Sequence, residues 1–237
     1  MNWKKDKFTV IKNAISKDMA EFLKNYILMK RRVLQTFRTT NNISLFNKDW
    51  GTWEDPQVPA TYSHYADIAM ETLLAKLKPK MEKTTGLKLY ENYSYVRIYK
   101  DKDELKRHKD RFSCEISTTL NLGGDKAWPI FINPNENEGG INETTGEYIS
   151  SKSKGVKVDL KPGDMLIYRG DLLEHWREPF KGNHCAQVFL HYNNQKTEGA
   201  EENALDKRPH LGLPGRFKRA EKKIPVRQGA ISKVIKY

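Results

Sequence analysis

Tyr93-Ser94-Tyr95-Val96-Arg97-Ile98-Tyr99 is the stretch on which the fold turns. Its side chains alternate with a period of two, which is the pattern of a strand with two unlike faces. Five more strand-like runs follow. Ser113 to Leu122 (Ser-Cys-Glu-Ile-Ser-Thr-Thr-Leu-Asn-Leu) is closed by Gly123-Gly124. Trp128 to Ile132, Val156 to Leu160, Met165 to Tyr168 and Ala186 to Tyr192 complete the set. Lys161-Pro162-Gly163-Asp164 reads as a tight turn before the fifth run. Residues 133–154 are rich in Asn, Gly, Glu, Ser and Lys and read as a long loop.

Upstream of Leu87 the period is helical. Phe8 to Lys12 reads as a short strand, and Ser16 as the N-cap of a helix over roughly 17–32, with Ala20, Leu23, Ile27 and Leu28 on one face. Residues 33–60 hold polar turns with Trp50 and Trp53, a loop expected near the site. A second helix is expected over roughly 61–84, with Ile68, Leu73, Leu74, Leu77 and Met81 apolar, a kink or break at Pro79, and its end at Gly86. Helices first and many short strands afterwards indicate an α+β chain built on a β-sandwich or barrel. The expected organisation is a helical support region over 1–86, a strand-rich core over 87–194 and a basic arm over 195–237, within one domain overall. The arm is expected to wrap the domain or to stay mobile.

The composition excludes several classes. Of 237 residues, 38% are hydrophobic and 11% aromatic, which argues against general disorder. No apolar run is long enough to cross a bilayer, and the start, Met-Asn-Trp-Lys-Lys-Asp-Lys-Phe, is too charged for a signal peptide, so a cytoplasmic protein with no membrane partner is expected. Two cysteines, Cys114 and Cys185, give no disulfide framework and are expected as free buried thiols. The formal charge is +12. Residues 1–38 carry 10 Lys/Arg against 3 Asp/Glu, and residues 193–237 carry 11 against 5. Such basic ends attract nucleic acid or acidic partners, but they form no dense run with interleaved aromatics.

The chemistry sits in Arg107-His108-Lys109-Asp110 and in His175, which is separated from Asp110 by 64 residues. His-x-Asp with a distant histidine is the ligand pattern of a non-haem Fe(II) site, in which two imidazoles and a carboxylate leave coordination positions open. In an extended segment residues i and i+2 point the same way, so His108 and Asp110 can reach one ion. His175 must then arrive from a strand brought alongside. His64 and His191 are left over. His191 lies in an apolar strand and is expected as a hydrogen-bonded core residue.

On these residues, the run from Tyr93 to Asn193 resembles the double-stranded β-helix (jelly-roll, cupin-like) core of Fe(II)- and 2-oxoglutarate-dependent oxygenases, and within them the prolyl 4-hydroxylase branch. Val96-Arg97-Ile98-Tyr99 followed by His108-Lys109-Asp110 matches that branch, as do Thr118-Thr119-Leu120-Asn121-Leu122, the 161–168 turn and strand, and His175. The resemblance implies Fe(II), 2-oxoglutarate and O2, with ascorbate as a further cofactor. It implies hydroxylation of a C–H bond, with a prolyl residue of a peptide or protein as substrate and release of succinate and CO2. It places Tyr99 and Thr119 against 2-oxoglutarate. The branch puts a Lys or Arg nine or ten positions beyond the distal histidine, where this chain has His184 and Cys185. His184 is therefore the first candidate for the far carboxylate, and Arg177 the rival. Substrate is expected over the site near Trp53 and Trp128, with Trp128 stacking on a proline ring and Arg169 and Arg177 meeting substrate carbonyls. Two other readings remain. A nucleic-acid demethylase of the same superfamily fits the charge, although only Arg177 closely follows His175. A cupin-like binding module without catalysis would not need the intact His108, Asp110 and His175.

Overall fold

In the computed structural model, which describes residues 1–219, the chain opens with α1 (Trp3–Asp6), β1 (Phe8–Ile11), α2 (Lys17–Thr39), β2 (Tyr62–Tyr65) and α3 (Ile68–Thr85). Strands β3 (Leu89–Tyr99), β4 (Leu105–His108), β5 (Ile116–Gly124), β6 (Ile130–Ile132), β7 (Gly140–Ile141), β8 (Tyr148–Ile149) and β9 (Val156–Val158) follow. Then come β10 (Met165–Arg169), β11 (His175–Arg177), β12 (Cys185–Asn194) and α4 (Ala200–Asn203). An antiparallel six-stranded sheet has the order β1-β10-β5-β12-β3-β2, and a four-stranded sheet the order β4-β11-β6-β9. β7 and β8 form a hairpin within the 133–154 segment, which the sequence presents as plain loop.

The six-stranded sheet has two different faces. Val96 and Ile98 of β3, Leu120 and Leu122 of β5, and Val188 and Leu190 of β12 pack with Ala20, Leu23 and Ile27 of α2 and Leu73, Leu74 and Leu77 of α3. The alternate residues Tyr93, Tyr95, Arg97 and Tyr99 of β3, with Phe189 and His191 of β12, line a cavity instead. The period of two thus sorts helix-packed apolar residues from cavity-facing polar and aromatic ones. The cavity also carries His108 of β4 and His175 of β11, so it lies between the two sheets.

The helices depart from expectation in three ways. α2 runs on to Thr39 because Leu34, fully buried, continues its apolar stripe past residue 32. Tyr62–Tyr65 is an edge strand paired with β3, and α3 begins only after Asp67, whose side chain caps it by accepting from the Ala69 and Met70 amides. Pro79 lies inside α3 without ending it. Ala75, four residues earlier, and Pro79 are both exposed, so the carbonyl that Pro79 leaves unpaired faces water. Ser16 caps α2 and Gly86 (φ 73°) ends α3, as the sequence indicates.

Part of the basic arm docks. Arg208 is buried and donates to both oxygens of buried Glu71 (2.7 and 3.1 Å) and to the Asn92 carbonyl (2.9 Å). The arm beyond residue 219 lies outside the described residues. Among them, no helix is long and apolar enough to cross a membrane.

Candidate metal centre

His108 ends β4 and His175 begins β11, and these two residues pair directly in the four-stranded sheet. Their ring centroids lie 4.2 Å apart. Asp110 Oδ1 is 3.5 Å from His108 Nε2 and 3.6 Å from His175 Nε2. The distant histidine is therefore brought alongside the His-x-Asp pair, and the three ligand atoms gather as one metal ion requires.

Each of the three is held from behind. His108 Nδ1 lies 2.8 Å from the Lys106 carbonyl, and His175 Nδ1 lies 2.9 Å from the Leu173 carbonyl. A carbonyl can only accept, so each Nδ1 carries the hydrogen and each Nε2 presents its lone pair to the centre. Asp110 is fixed by the Ser117 hydroxyl, which donates to Oδ2 at 2.8 Å, and by its own amide, which donates to the Gly170 carbonyl at 2.7 Å. Gly170 allows this crowding. A Cβ there would stand 2.3 Å from Asp110 Oδ2 and 2.6 Å from the Cys114 carbonyl. Burial raises the Asp110 carboxyl, but the two imidazoles outweigh it and hold the group well below the usual carboxylate range. Burial and the neighbouring His108 hold His175 down at about 4. Burial also lowers His108, yet the hydrogen bond and charge of Asp110 outweigh it and raise this imidazole. A clustered carboxylate and two oriented Nε2 atoms form a donor set suited to a divalent ion, so these residues fit Fe(II).

The cavity measures about 600 Å³. Thr52, Asp55 and Gln57 line it from the 40–60 loop, so that loop does lie at the site. Gln57 Nε2 sits 3.2 Å from His108 Nε2, and Arg97 Nη2 donates to Gln57 Oε1 at 3.1 Å. Arg97 also pairs with Asp55, and its Nη1 reaches the Tyr99 hydroxyl at 3.2 Å. The period of two makes Tyr93, Tyr95 and Arg97 legible beside Tyr99. Nothing in the sequence marks Gln57 and Asp55, which act from irregular backbone. His191 is buried and hydrogen-bonded to Ser117 (3.0 Å), and it also forms part of the cavity wall.

The remaining candidates separate into two groups. Tyr99 lines the cavity, and Arg177 and Thr119 lie together behind it. Arg177 Nη2 donates to Thr119 Oγ1 (3.2 Å) and Gln187 Oε1 (3.4 Å), and Nη1 donates to the Trp128 carbonyl. Arg177 is fully buried, its Nε has no partner, and no carboxylate of the described residues pairs with it. His184 does not line the cavity. It sits half-buried in the turn before β12, its amide donating to Asp125 at 3.0 Å. Trp128 is edge-on to Tyr99 (4.5 Å) with its indole N–H on the Glu178 carbonyl, so it stands behind the lining and presents no face to the cavity. Trp53 packs on Tyr62 beside the main core, and Arg169 binds Asp171 and Glu115 outside the cavity.

No family model and no curated protein matches the sequence. Solved structures do match in fold. A prolyl-4-hydroxylase of Pseudomonas putida aligns over 81% of this chain and 95% of its own, at 13% identity and a TM-score of 0.52. HygX of Streptomyces hygroscopicus, with nickel and 2-oxoglutarate bound, aligns over 82% and 85% at 12% identity and a TM-score of 0.53. EctD of S. alaskensis, with bound Fe, aligns over 81% and 74% at 14% identity and a TM-score of 0.54. The fold is accordingly the double-stranded β-helix of the Fe(II)- and 2-oxoglutarate-dependent oxygenases, prolyl hydroxylases among them.

Proposed function

We propose that this chain is an Fe(II)- and 2-oxoglutarate-dependent dioxygenase that hydroxylates a C–H bond, with a prolyl residue of a peptide or protein as its substrate. The observation that carries this reading is the convergence of His108 Nε2, Asp110 Oδ1 and His175 Nε2, each pinned from behind, at the wall of an open cavity. The bound iron and 2-oxoglutarate found in similarly folded proteins support it, as does the prolyl-4-hydroxylase among them.

His108, Asp110 and His175 would hold the metal. Bound iron supplies the chemistry that couples O2 and 2-oxoglutarate to succinate, CO2 and a hydroxylated product. Arg177 takes the far carboxylate of 2-oxoglutarate in this reading. A buried guanidinium with a free Nε and no anionic partner is costly unless an anion completes it. Thr119 and Tyr99 add hydroxyl donors beside it. His184 sits in the turn before β12 with its amide on Asp125, so this reading gives the anion-binding role to Arg177 of β11. Tyr65, Tyr93 and Tyr95 offer the aromatic surface that Trp128 does not, and they bound the space where a pyrrolidine ring would lie. The Asp55–Arg97–Gln57 chain brings an amide next to the metal ligands, where it can orient substrate.

Anaerobic incubation with Fe(II) and 2-oxoglutarate, then an oxygen pulse and a succinate assay, tests the oxygenase reading. Succinate should form, and more of it when a proline-containing peptide is added. No succinate under any condition would refute the reaction class.

A further inference from the structure

Asp110 belongs to a second cluster of ligand-type side chains. Cys114 follows it by four residues, at the end of the 3-10 turn Phe112–Cys114. His191 stands opposite Ser117 where β12 pairs with β5. One donor atom each from Asp110, Cys114 and His191 lies within 4.8 Å of the others, and all three residues line the cavity. Asp110 Oδ1 faces His108 and His175, whereas Oδ2 accepts from Ser117. Ser117 Oγ also lies 2.8 Å from the Cys114 carbonyl and 3.0 Å from His191 Nδ1. A hydroxyl has one hydrogen, and the Asp110 carboxylate and the Cys114 carbonyl can only accept it. His191 Nδ1 therefore donates to Ser117, and Nε2 keeps its lone pair. No described residue hydrogen-bonds that Nε2, although His191 is only 6% exposed. A buried polar atom without a partner calls for an occupant. The Tyr93 hydroxyl lies 3.0 Å from Cys114 Sγ and its ring packs on His191 at 4.5 Å, so one side chain backs both groups.

We propose that Asp110, Cys114 and His191 form a second, inhibitory metal site for a thiophilic divalent ion such as Zn(II), which competes with the first site for the Asp110 carboxylate. Sulfur, nitrogen and oxygen together make a zinc donor set, and three protein ligands leave a fourth position for water. Burial, with the Asp110 charge, raises the Cys114 thiol far above its ordinary range. An ion therefore binds only by displacing the thiol proton to solvent, which zinc does and a hard ion such as Mn(II) does not. Zinc bonds of about 2.0–2.3 Å draw such donors closer together, a small shift of Cys114 and His191. The site needs the shared carboxylate and holds whether or not the first cluster is an oxygenase centre.

Cobalt(II) absorption tests it on the full chain, because a thiolate ligand gives Co(II) a near-ultraviolet charge-transfer band that nitrogen and oxygen ligands do not. Wild type saturated with Mn(II) should develop the band on titration with Co(II), and Zn(II) should abolish it by displacement. Cys114→Ser should remove the band, His191→Ala should lose most of it, and Cys185→Ser, at the other buried thiol, should keep it. Mn(II) calorimetry on Cys114→Ser and His191→Ala should still show one equivalent, which establishes that both variants fold. His108→Ala should keep the band and bind that cobalt about tenfold more tightly than Mn(II)-saturated wild type, since Asp110 is no longer shared. No band in wild type, a band that survives Cys114→Ser or depends on Cys185, or equal cobalt affinity in His108→Ala and Mn(II)-saturated wild type would overturn the proposal. The expected band with no succinate on addition of Fe(II), 2-oxoglutarate and O2 to zinc-free chain would instead refute the oxygenase reading and leave the second site standing.

Discussion

The ligand cluster at the cavity wall and the Arg177 cluster behind the cavity are built by opposite means. At the metal end, two of three ligands come from one short segment, and backbone carbonyls of near neighbours fix both imidazoles: Lys106 for His108 and Leu173 for His175. Behind the cavity, the guanidinium of Arg177 comes from β11, its hydroxyl neighbour Thr119 from β5, Gln187 from β12 and the nearby Tyr99 from β3. The first arrangement is local in sequence. The second exists only once four strands are assembled.

The largest effect that tests this contrast is expected at Arg177, on the role proposed for it. Arg177→Ala should weaken 2-oxoglutarate binding about 10- to 100-fold, since hydrogen bonds to a charged group contribute about 1.5–3 kcal/mol. His184→Ala should change it little. Competition or steady-state KM for 2-oxoglutarate reads both, and a large loss in His184→Ala with none in Arg177→Ala would reverse the assignment. At the metal end, Ser117→Ala removes one of the two anchors of Asp110. Metal affinity should fall about tenfold, the low end for an outer-shell partner, because the Asp110 amide keeps Gly170. Affinity for 2-oxoglutarate, measured at saturating metal, should stay constant. If both fall together, the two clusters are not independent.

Acid should act at the metal end first. A protonated imidazole cannot ligate, so affinity falls as pH drops through the raised His108 value, above the usual ~6.5 for histidine. His175, held at about 4, protonates only far below that. The logarithm of Mn(II) affinity against pH should approach a slope of one below His108's titration and steepen further only near pH 4. A slope of two already at neutral pH would contradict the separation of the two imidazoles.

Much of this was legible from the residues, for physical reasons. His108, Asp110 and His175 stand out because metal ligation needs particular side chains at a particular spacing. The β3 residues Tyr93 to Tyr99 stand out because an extended backbone alternates its faces. Tyr62–Tyr65 was hidden because a four-residue edge strand running into a helix cap has too few residues to show a period. β4 and β11 are as hard to read, with four and three residues. Gln57 and Asp55 were invisible because irregular backbone gives no rule for where a side chain points. Counting along the chain favours His184, whereas the turn at Gly182 and Asn183 holds its amide on Asp125, and it is not among the residues that line the cavity.

The smallest effect concerns the basic ends. Oligonucleotide binding should be weak at about 50 mM salt and gone near 200 mM, as for any loose phosphate contact. Anisotropy that survives the higher salt and vanishes on deletion of residues 205–237 would favour a nucleic-acid substrate over a peptide.

Titration calorimetry with Mn(II) tests the metal centre most directly. Wild type should bind one equivalent, and His108→Ala, Asp110→Ala and His175→Ala should each lose it, because two remaining ligands compete poorly with water. Equal affinity in wild type and all three variants would contradict the metal centre itself.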